Sequence, residues 1–323
     1  MARPASTIGI IGLGNLGASL AGNLLRHGLD LLVADLNEAT VADFEARGAR
    51  RAVSPLEMAR SCEFVITCLP SPAASASVVE GPRGLLEGFG PGKVWLEMST
   101  TDAAEIRRLA ARVTATGATV LECPVSGGCH RAASGNISIF AGGPRAAFER
   151  ALPVLSMLGH QILHTGELGS ASMLKVLTNY LCTTHLVALA EALTTAKVLG
   201  LDMNTTYEGI RISSGNSFVH ETESQVILNG SRDINFTMDL VVKDVGLFDR
   251  LAAEHGVPLE LSPLVLGIFK DGVARYGGRE HSPNIIRRYE EPCGVKVLGT
   301  GFPATMVDHL PKEPGVEVVP KKG

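Results

Sequence analysis

The sequence predicts an α/β protein: an N-terminal doubly wound parallel sheet, then an all-helical C-terminal domain begun by a long helix. Three observations carry this prediction. Short apolar runs alternate with amphipathic helical stretches through the first half of the 323 residues, the pattern of a parallel sheet with helices on both faces. A glycine-rich turn joins the first apolar run to the first helix. From Gly166 onward the strand signal fades and apolar residues recur at helical spacing.

The first elements are read from Ile8 to Gly28, "IGIIGLGNLGASLAGNLLRHG". Ile8–Ile11 form a strand, and the chain turns through Gly12, Gly14 and Gly17. A helix follows with Leu16, Leu20 and Leu24 along one face, and Gly28 stops it. G-x-G-x-x-G between a strand and a helix is the Rossmann dinucleotide-binding fingerprint. Gly12 permits the tight turn, Gly14 lets backbone approach a pyrophosphate, and Gly17 lets helix pack on strand. Leu13, Asn15 and Leu16 belong to the same cofactor-binding turn. The first helical turn offers N–H groups and a positive dipole end to that pyrophosphate. A second strand, Leu31–Ala34, ends at Asp35, 18 residues past Gly17. An acid placed there accepts hydrogen bonds from the adenosine ribose hydroxyls.

The remaining elements follow in order. Strands are expected at Phe64–Leu69, Val94–Met98, Thr119–Glu122, Ile137–Ala141 and Gln161–His164. Helices are expected at Glu38–Arg47, Leu56–Arg60, Asp102–Thr116 and Arg145–Leu158, with Ser54 capping the second and Pro55 at its first position. A helix from Leu168 to Leu199 would span about 45 Å. Further helical stretches lie at Met203–Ser213, Phe236–His255 and Leu261–Tyr276. The last segment, Glu291–Gly323, is rich in Pro, Gly and Val and has no helical period. A disordered extension and an arm packed on its own or a neighbouring subunit both remain open for it. The expected organisation is a dinucleotide-binding domain over 1–165, a helical substrate and dimerisation domain over 166–290, and an extended tail over 291–323. A partly apolar helical domain is a natural surface for a homo-oligomer, a dimer or tetramer.

Composition narrows the classes. The chain is 45% hydrophobic and 19% charged with net charge −4, which suits a compact fold and favours neither nucleic acid nor an anionic membrane as partner. Six scattered cysteines without a CxxC pair read as reduced thiols and predict a cytoplasmic protein. A strand within the first ten residues leaves no room for a secretory signal. His185, Glu191 and Lys197 interrupt the longest apolar helix, which argues against a membrane span. His160 and His164 bracket a strand instead of sharing a helix face, so no metal is expected.

Ligands of a doubly wound sheet bind beyond the carboxyl ends of its strands. There the sequence reads "CLPSP" at 68–72, "EMSTT" at 97–101 and "ECPVSGG" at 122–128. The hydroxyls of Ser99, Thr100 and Ser126, with the bare backbone of Gly127 and Gly128, could offer donors to a cofactor or a carboxylate. A hydroxyl after a strand is more commonly a helix cap, and Thr101–Asp102 fits that role. Two adjacent glycines imply close approach of a partner to the backbone. Lys175 lies about two turns into the long helix among Met173, Leu174, Val176 and Leu177, with Asn179 on the same face. Most helix lysines are solvated. One in apolar company beside a positive nicotinamide would hold its proton less tightly and could exchange it with a substrate hydroxyl. Lys243, in "LVVKDVGLF", has similar company, and Asp244 beside it reads as an exposed helix acid.

Together these pieces resemble the β-hydroxyacid dehydrogenase family, the 3-hydroxyisobutyrate dehydrogenase-like enzymes. The resemblance runs from Ile8 to about Glu291. It rests on "GLGNLG" at 12–17, "DLN" at 35–37, "CLP" at 68–70, "MSTT" at 98–101 and "PVSGG" at 124–128. It continues through "GNISIFAGG" at 135–143, "GELGSASMLKVLTN" at 166–179 and "FTMDLVVKDVGL" at 236–247. It implies oxidation of a small 3-hydroxy acid by a nicotinamide cofactor. Gly12, Gly14 and Gly17 would hold the pyrophosphate, Asp35 the ribose, and Leu69, Pro70 and Thr100 would line the cofactor. Ser126, Gly127 and Gly128 would grip the substrate carboxylate. Lys175 would transfer the proton with Asn179 as helper, and Lys243 would reach cofactor or substrate. Asp35 would repel a 2′-phosphate, so NAD is implied over NADP.

The chain also departs from the family pattern. "CHRAASG" puts His130 and Arg131 where compact residues are usual. Arg131 is either an anion contact for a second carboxylate or sulfonate or a solvent-facing side chain, the placement expected here. "SSGNSFVHETES" at 213–224 fits no substrate pattern; its His220 and Glu221 either line the pocket or lie at the surface, the placement expected here. Two rival readings share this architecture: an imine reductase and a non-catalytic NAD-binding protein. The resemblance implies that both would lack the lysine found at 175. Hydroxyisobutyrate, 3-hydroxypropionate, serine, glycerate, threonate and sulfonate analogues all fit the implied site.

Overall fold

β1 (Ile8–Ile11) is apolar and buried at all four positions, as a strand covered on both faces must be. In this computed structural model, which describes residues 7–321, it lies inside the sheet between two parallel neighbours. β2 (Leu31–Ala34), β4 (Phe64–Thr67), β5 (Val94–Glu97) and β6 (Thr119–Glu122) run parallel to it, with the short β3 (Arg50–Arg51) at the edge, in the order β3-β2-β1-β4-β5-β6. That is the doubly wound order that places a ligand crevice beyond β1 and β4. The period of two shows in the packing. Ile8, Ile10, Leu31 and Val33 enter one core, and Ile11 and Leu32 enter the core on the opposite face with Trp95.

Beyond β6 the sheet is mixed. β7 (Val125–Ser126) pairs antiparallel with β8 (Ile137–Gly142), and β8 runs against β6. β9 (Gly159–Gly166) returns parallel to β8. The connecting helices carry local start signals. Asn37, Ser54, Ser71 and Asp102 cap α2 (Glu38–Ala46), α3 (Pro55–Ser61), α4 (Pro72–Glu80) and α5 (Ala103–Thr114) through their side chains. α1 (Asn15–Arg26) and α7 (Arg145–Leu158) complete the layers. In the sheet half two α-helices were not expected from the sequence: α4, whose Ser71-Pro72 start repeats the Ser54-Pro55 signal, and the short α6 (Gly128–Ser134).

α8 (Ser170–Val198) follows. The chain divides into two compact units inside this helix, after Lys175: residues to Lys175 with Asp308 onward form the first, and Val176–Val307 the second. The second is helical, comprising α9 (Met203–Arg211), α10 (Phe218–Asn229), α11 (Met238–Glu254), α12 (Leu261–Tyr276) and α13 (Arg287–Cys293). By length and composition alone α8 could cross a membrane. Its Leu186, Ala190 and Leu193 instead pack with Ile227, Val245 and Phe269 in the helical core. α10 occupies the stretch with no assigned pattern, and one expectation there is overturned. His220 is buried, with Nε2 2.9 Å from the Tyr207 carbonyl, because Ser217 caps a helix that turns this ring inward. Glu221 is exposed.

Within 291–321, the described part of the tail, the chain packs on itself. Val297 is buried in the helical core, and the Phe302 ring meets Tyr207 edge-on at 5.1 Å. From Asp308 the chain belongs to the sheet unit. The Asp308 carboxylate accepts from Ser134 Oγ and, at 2.7 Å, from Asn136 Nδ2. β10 (Val316–Glu317) then adds to the free edge of β9 and Glu317 pairs with Arg145, which covers backbone groups that an open edge would expose.

Candidate active site

The glycine turn is built by contact. Gly12 has φ +96°, and a Cβ there would strike the Cys68 carbonyl. A Cβ on Gly17 would collide with the Gly12 carbonyl. Gly14 is the N-cap of α1, offers no side-chain cap, and faces open space. No side chain of Gly14 therefore stands over the first turn of α1, where a helix directs its leading N–H groups outward. This is what a pyrophosphate needs, so the residues present fit a dinucleotide.

Asp35 stands at the mouth of that turn. Its carboxylate accepts from Leu13 N at 2.5 Å and from Asn37 N at 2.7 Å. The strand beside β2 presents Arg51, but its guanidinium is engaged by Glu38 and Glu45. Across the crevice, Leu69 N–H donates to Ser99 Oγ at 2.8 Å, and Ser99 N–H donates to Glu97 Oε1 at 2.8 Å. Glu97 is fully buried, which pushes its carboxyl up. Ser99 is thus committed to holding the "CLP" loop instead of standing open to a ligand. Leu69 and Thr100 are half-buried, and Pro70 is exposed.

The "SGG" loop follows β6. Ser126 is half-buried, and Gly127 and Gly128 have φ +125° and +84°, conformations side chains rarely adopt. Arg131 does not turn away into solvent as expected. It is half-buried, and a Cβ on Gly127 would lie 3.2 Å from its Cδ. The His130 ring lies similarly over Gly128. Burial, with the Arg131 charge, pushes its imidazole below the usual range.

Lys175 is 8% exposed, in the second turn of α8. Val176 beside it packs on Leu247 and Phe248, whereas Leu177 is exposed. The turn before Lys175 is held by Glu122, which accepts from Gly169 N at 2.5 Å, Ala171 N at 2.9 Å, Ser172 N at 3.1 Å, and Ser172 Oγ. In the helical unit, Asn179 Nδ2 donates to Asp244 Oδ2 at 2.5 Å and Lys243 Nζ lies 3.0 Å from Asp244 Oδ1. Asp244 is therefore not an exposed acid. It is 2% exposed and ties together two residues that the sequence picked out singly. Glu97, Glu122 and Asp244 are the site residues that sequence reasoning missed. Each stood beside a recognised motif, but a carboxylate's burial is not written in its neighbours. Among the described residues no cluster of three or more His, Cys, Asp or Glu could hold a metal.

Residues 7–166 match the model for the NAD binding domain of 6-phosphogluconate dehydrogenase. Residues 169–289 match the NAD-binding segment of NADP-dependent 3-hydroxyisobutyrate dehydrogenase. The 2-(hydroxymethyl)glutarate dehydrogenase of Eubacterium barkeri is 35% identical over 293 residues, 90% of this chain and 97% of that one. The chain belongs to the β-hydroxyacid dehydrogenase family. Another relative of this β-hydroxyacid dehydrogenase is the L-threonate dehydrogenase of Cupriavidus necator, 31% identical over 85% of this chain and 93% of that one. The fold of the present chain matches the crystal structure of a 3-hydroxyisobutyrate dehydrogenase from Salmonella typhimurium, with TM-score 0.81 and 30% identity over 88% of this chain and 99% of that one. The three relatives bear three different substrate names.

Proposed function

We propose that this family member is an NAD-dependent dehydrogenase of a small 3-hydroxy acid, with Lys175 as its general acid/base. The observation that carries the reading is the withdrawal of Lys175 from water at the head of α8. A lysine kept dry in this way is suited to exchange a proton with a bound hydroxyl. The Ser126 hydroxyl and the Gly127 and Gly128 backbone grip the substrate carboxylate. Asn179, held by Asp244, steadies the reacting hydroxyl, and Lys243 adds a positive charge. The α1 N-terminus takes the pyrophosphate, Asp35 the ribose, and Leu69, Pro70 and Thr100 line the cofactor. The dinucleotide, when bound, supplies the hydride acceptor. NAD is favoured over NADP because Asp35 would face a 2′-phosphate while Arg51 is already neutralised by two glutamates.

The test is a coupled absorbance screen of 3-hydroxy acids with NAD and with NADP, run on the wild type and on Lys175→Ala. Lys175→Ala is expected to lower kcat by about 10²–10⁴-fold with NAD affinity, followed by calorimetry, unchanged. Wild-type turnover in this variant would refute the role. An imine reductase or a non-catalytic NAD-binding protein would leave the buried lysine without a task. Reduction of a cyclic imine without hydroxy-acid oxidation, or NAD binding without turnover across the panel, would replace the present reading.

A further inference from the structure

We propose that Glu122 is the positioning residue for Lys175: its buried carboxylate clamps the first turn of α8 and thereby sets where the lysine amine stands. The inference rests on the role given to Lys175 above. Glu122 is the last residue of β6 and has no exposed surface. Its four donors all come from Gly169, Ala171 and Ser172, where α8 begins. Three are backbone N–H groups of the kind a helix start leaves without intrahelical partners, and these are 47 to 50 residues away in sequence. Side chains three apart on a helix are neighbours on one face. Ser172, gripped by both its N–H and its hydroxyl, therefore shares a face with Lys175, and both are buried.

The surroundings are shaped for this contact. Gly142 lies opposite Glu122 in the β6–β8 register, and a Cβ on it would collide with the Glu122 carboxylate. Gly169 has φ +98° and lies against the Arg107 guanidinium, which donates to Leu168 O at 3.0 Å. Thr165 Oγ1 and Ser170 Oγ lie 2.7 Å apart on the approach to the helix. Burial pushes the Glu122 carboxyl up, and its four donors pull it back. Since every neighbour donates, the acceptor-only carboxylate is the form that fits. A negative charge at this end of a 29-residue helix also meets the positive pole of its macrodipole. A cap of Ser or Asp from the preceding loop would satisfy the same N–H groups. A carboxylate from the sheet does more, because it fixes the helix start to the strand whose next residues become the "SGG" loop.

The experiment uses the full-length protein. Glu122→Gln keeps the shape but sets an amide NH₂ among donors. Expected are a kcat at least tenfold lower, KM for the acid and affinity for NAD within threefold of wild type, and labelling of Lys175 by an amine-acetylating reagent raised at least threefold relative to Lys93, whose Nζ donates to the Arg60 and Cys62 carbonyls at 2.7 and 2.8 Å, away from the clamp. A residue that merely glued the fold together would not separate kcat from KM, nor expose one lysine selectively. Wild-type kcat and labelling in the folded variant would overturn the proposal. Should Glu122→Gln fail to fold, Ser172→Ala removes a single donor and leaves the carboxylate. It should lower kcat and raise Lys175 labelling about twofold or more, and wild-type values in both would again overturn the clamp. Labelling needs no substrate. If the wild type oxidises no acid in the panel, the labelling result still decides the clamp, and the dehydrogenase reading is what fails.

Discussion

Asp35 shows how much one carboxylate is asked to do. It holds the Leu13 and Asn37 N–H groups, and in the proposed function it also takes the ribose hydroxyls and rejects a 2′-phosphate. Asp35→Ser keeps a small hydrogen-bonding side chain and removes the charge. The ratio of kcat/KM with NAD to that with NADP should fall at least tenfold, equivalent to about 1.4 kcal/mol. Steady-state kinetics with both cofactors measures it, and an unchanged ratio would move discrimination elsewhere. At this scale the tight turn at Gly12 and Gly17 was legible, since G-x-G-x-x-G between a strand and a helix has its own geometric meaning, whereas the roles of Ser126 and Lys175 rest on the family resemblance. Asp244 was not legible. Lys243 and Asp244 are adjacent in an apolar helix stretch, and only packing shows that the acid turns inward to Asn179.

Among the elements, the glycine turn and the capped helices were legible because their signals are local. Ser54-Pro55 starts α3 and Asp102 starts α5 through hydrogen bonds spanning two or three residues. β7, α6 and β10 were not, since elements of two to seven residues carry too little periodicity to register. β10 exists because β9 offers an edge 155 residues earlier in the chain. The tightest local constraint is between α1 and the turn before it. In Gly17→Ala the added methyl meets the Gly12 carbonyl, so α1 must move off the turn. Loss of at least about 2 kcal/mol of stability is expected, in the range of overpacking a close-fitted site, together with at least tenfold weaker NAD binding. Denaturant unfolding and calorimetry report the two, and wild-type values for both would show that the turn has slack.

The whole molecule carries a pH dependence seated in the helical unit. Glu223 on α10 is buried, and burial pushes its carboxyl up to about 8, opposed by the nearby Ser282 hydroxyl. Its Oε2 finds no hydrogen-bond partner among the described residues. In the unfolded chain the same group titrates near 4.5. Between these values the unfolded state has released a proton that the native state retains, so stability falls as pH rises through this window. Its contribution is fully present below about pH 4.5 and lost once pH passes about 8. Each pH unit of the window is worth about 1.4 kcal/mol at most. Glu223→Gln should therefore melt several degrees above wild type at pH 8.5 and converge with it toward pH 4.5. Parallel melting curves across that range would assign the acid another partner.

Read alone, the amino-acid order determined the alternating sheet half, the glycine turn, the helical second half and the motifs that mark the family. These are written in spacings of two to four residues and in single residues with special backbone freedom, and such short-range physics survives without a structure. Packing alone decided that Glu122 reaches the start of α8, that Asp244 joins Asn179 to Lys243, that Arg131 folds over Gly127, and that the tail closes the β9 edge. Each is a meeting of groups far apart in the chain or a choice between inside and outside, and neither can be settled until the surfaces that exclude water are in place.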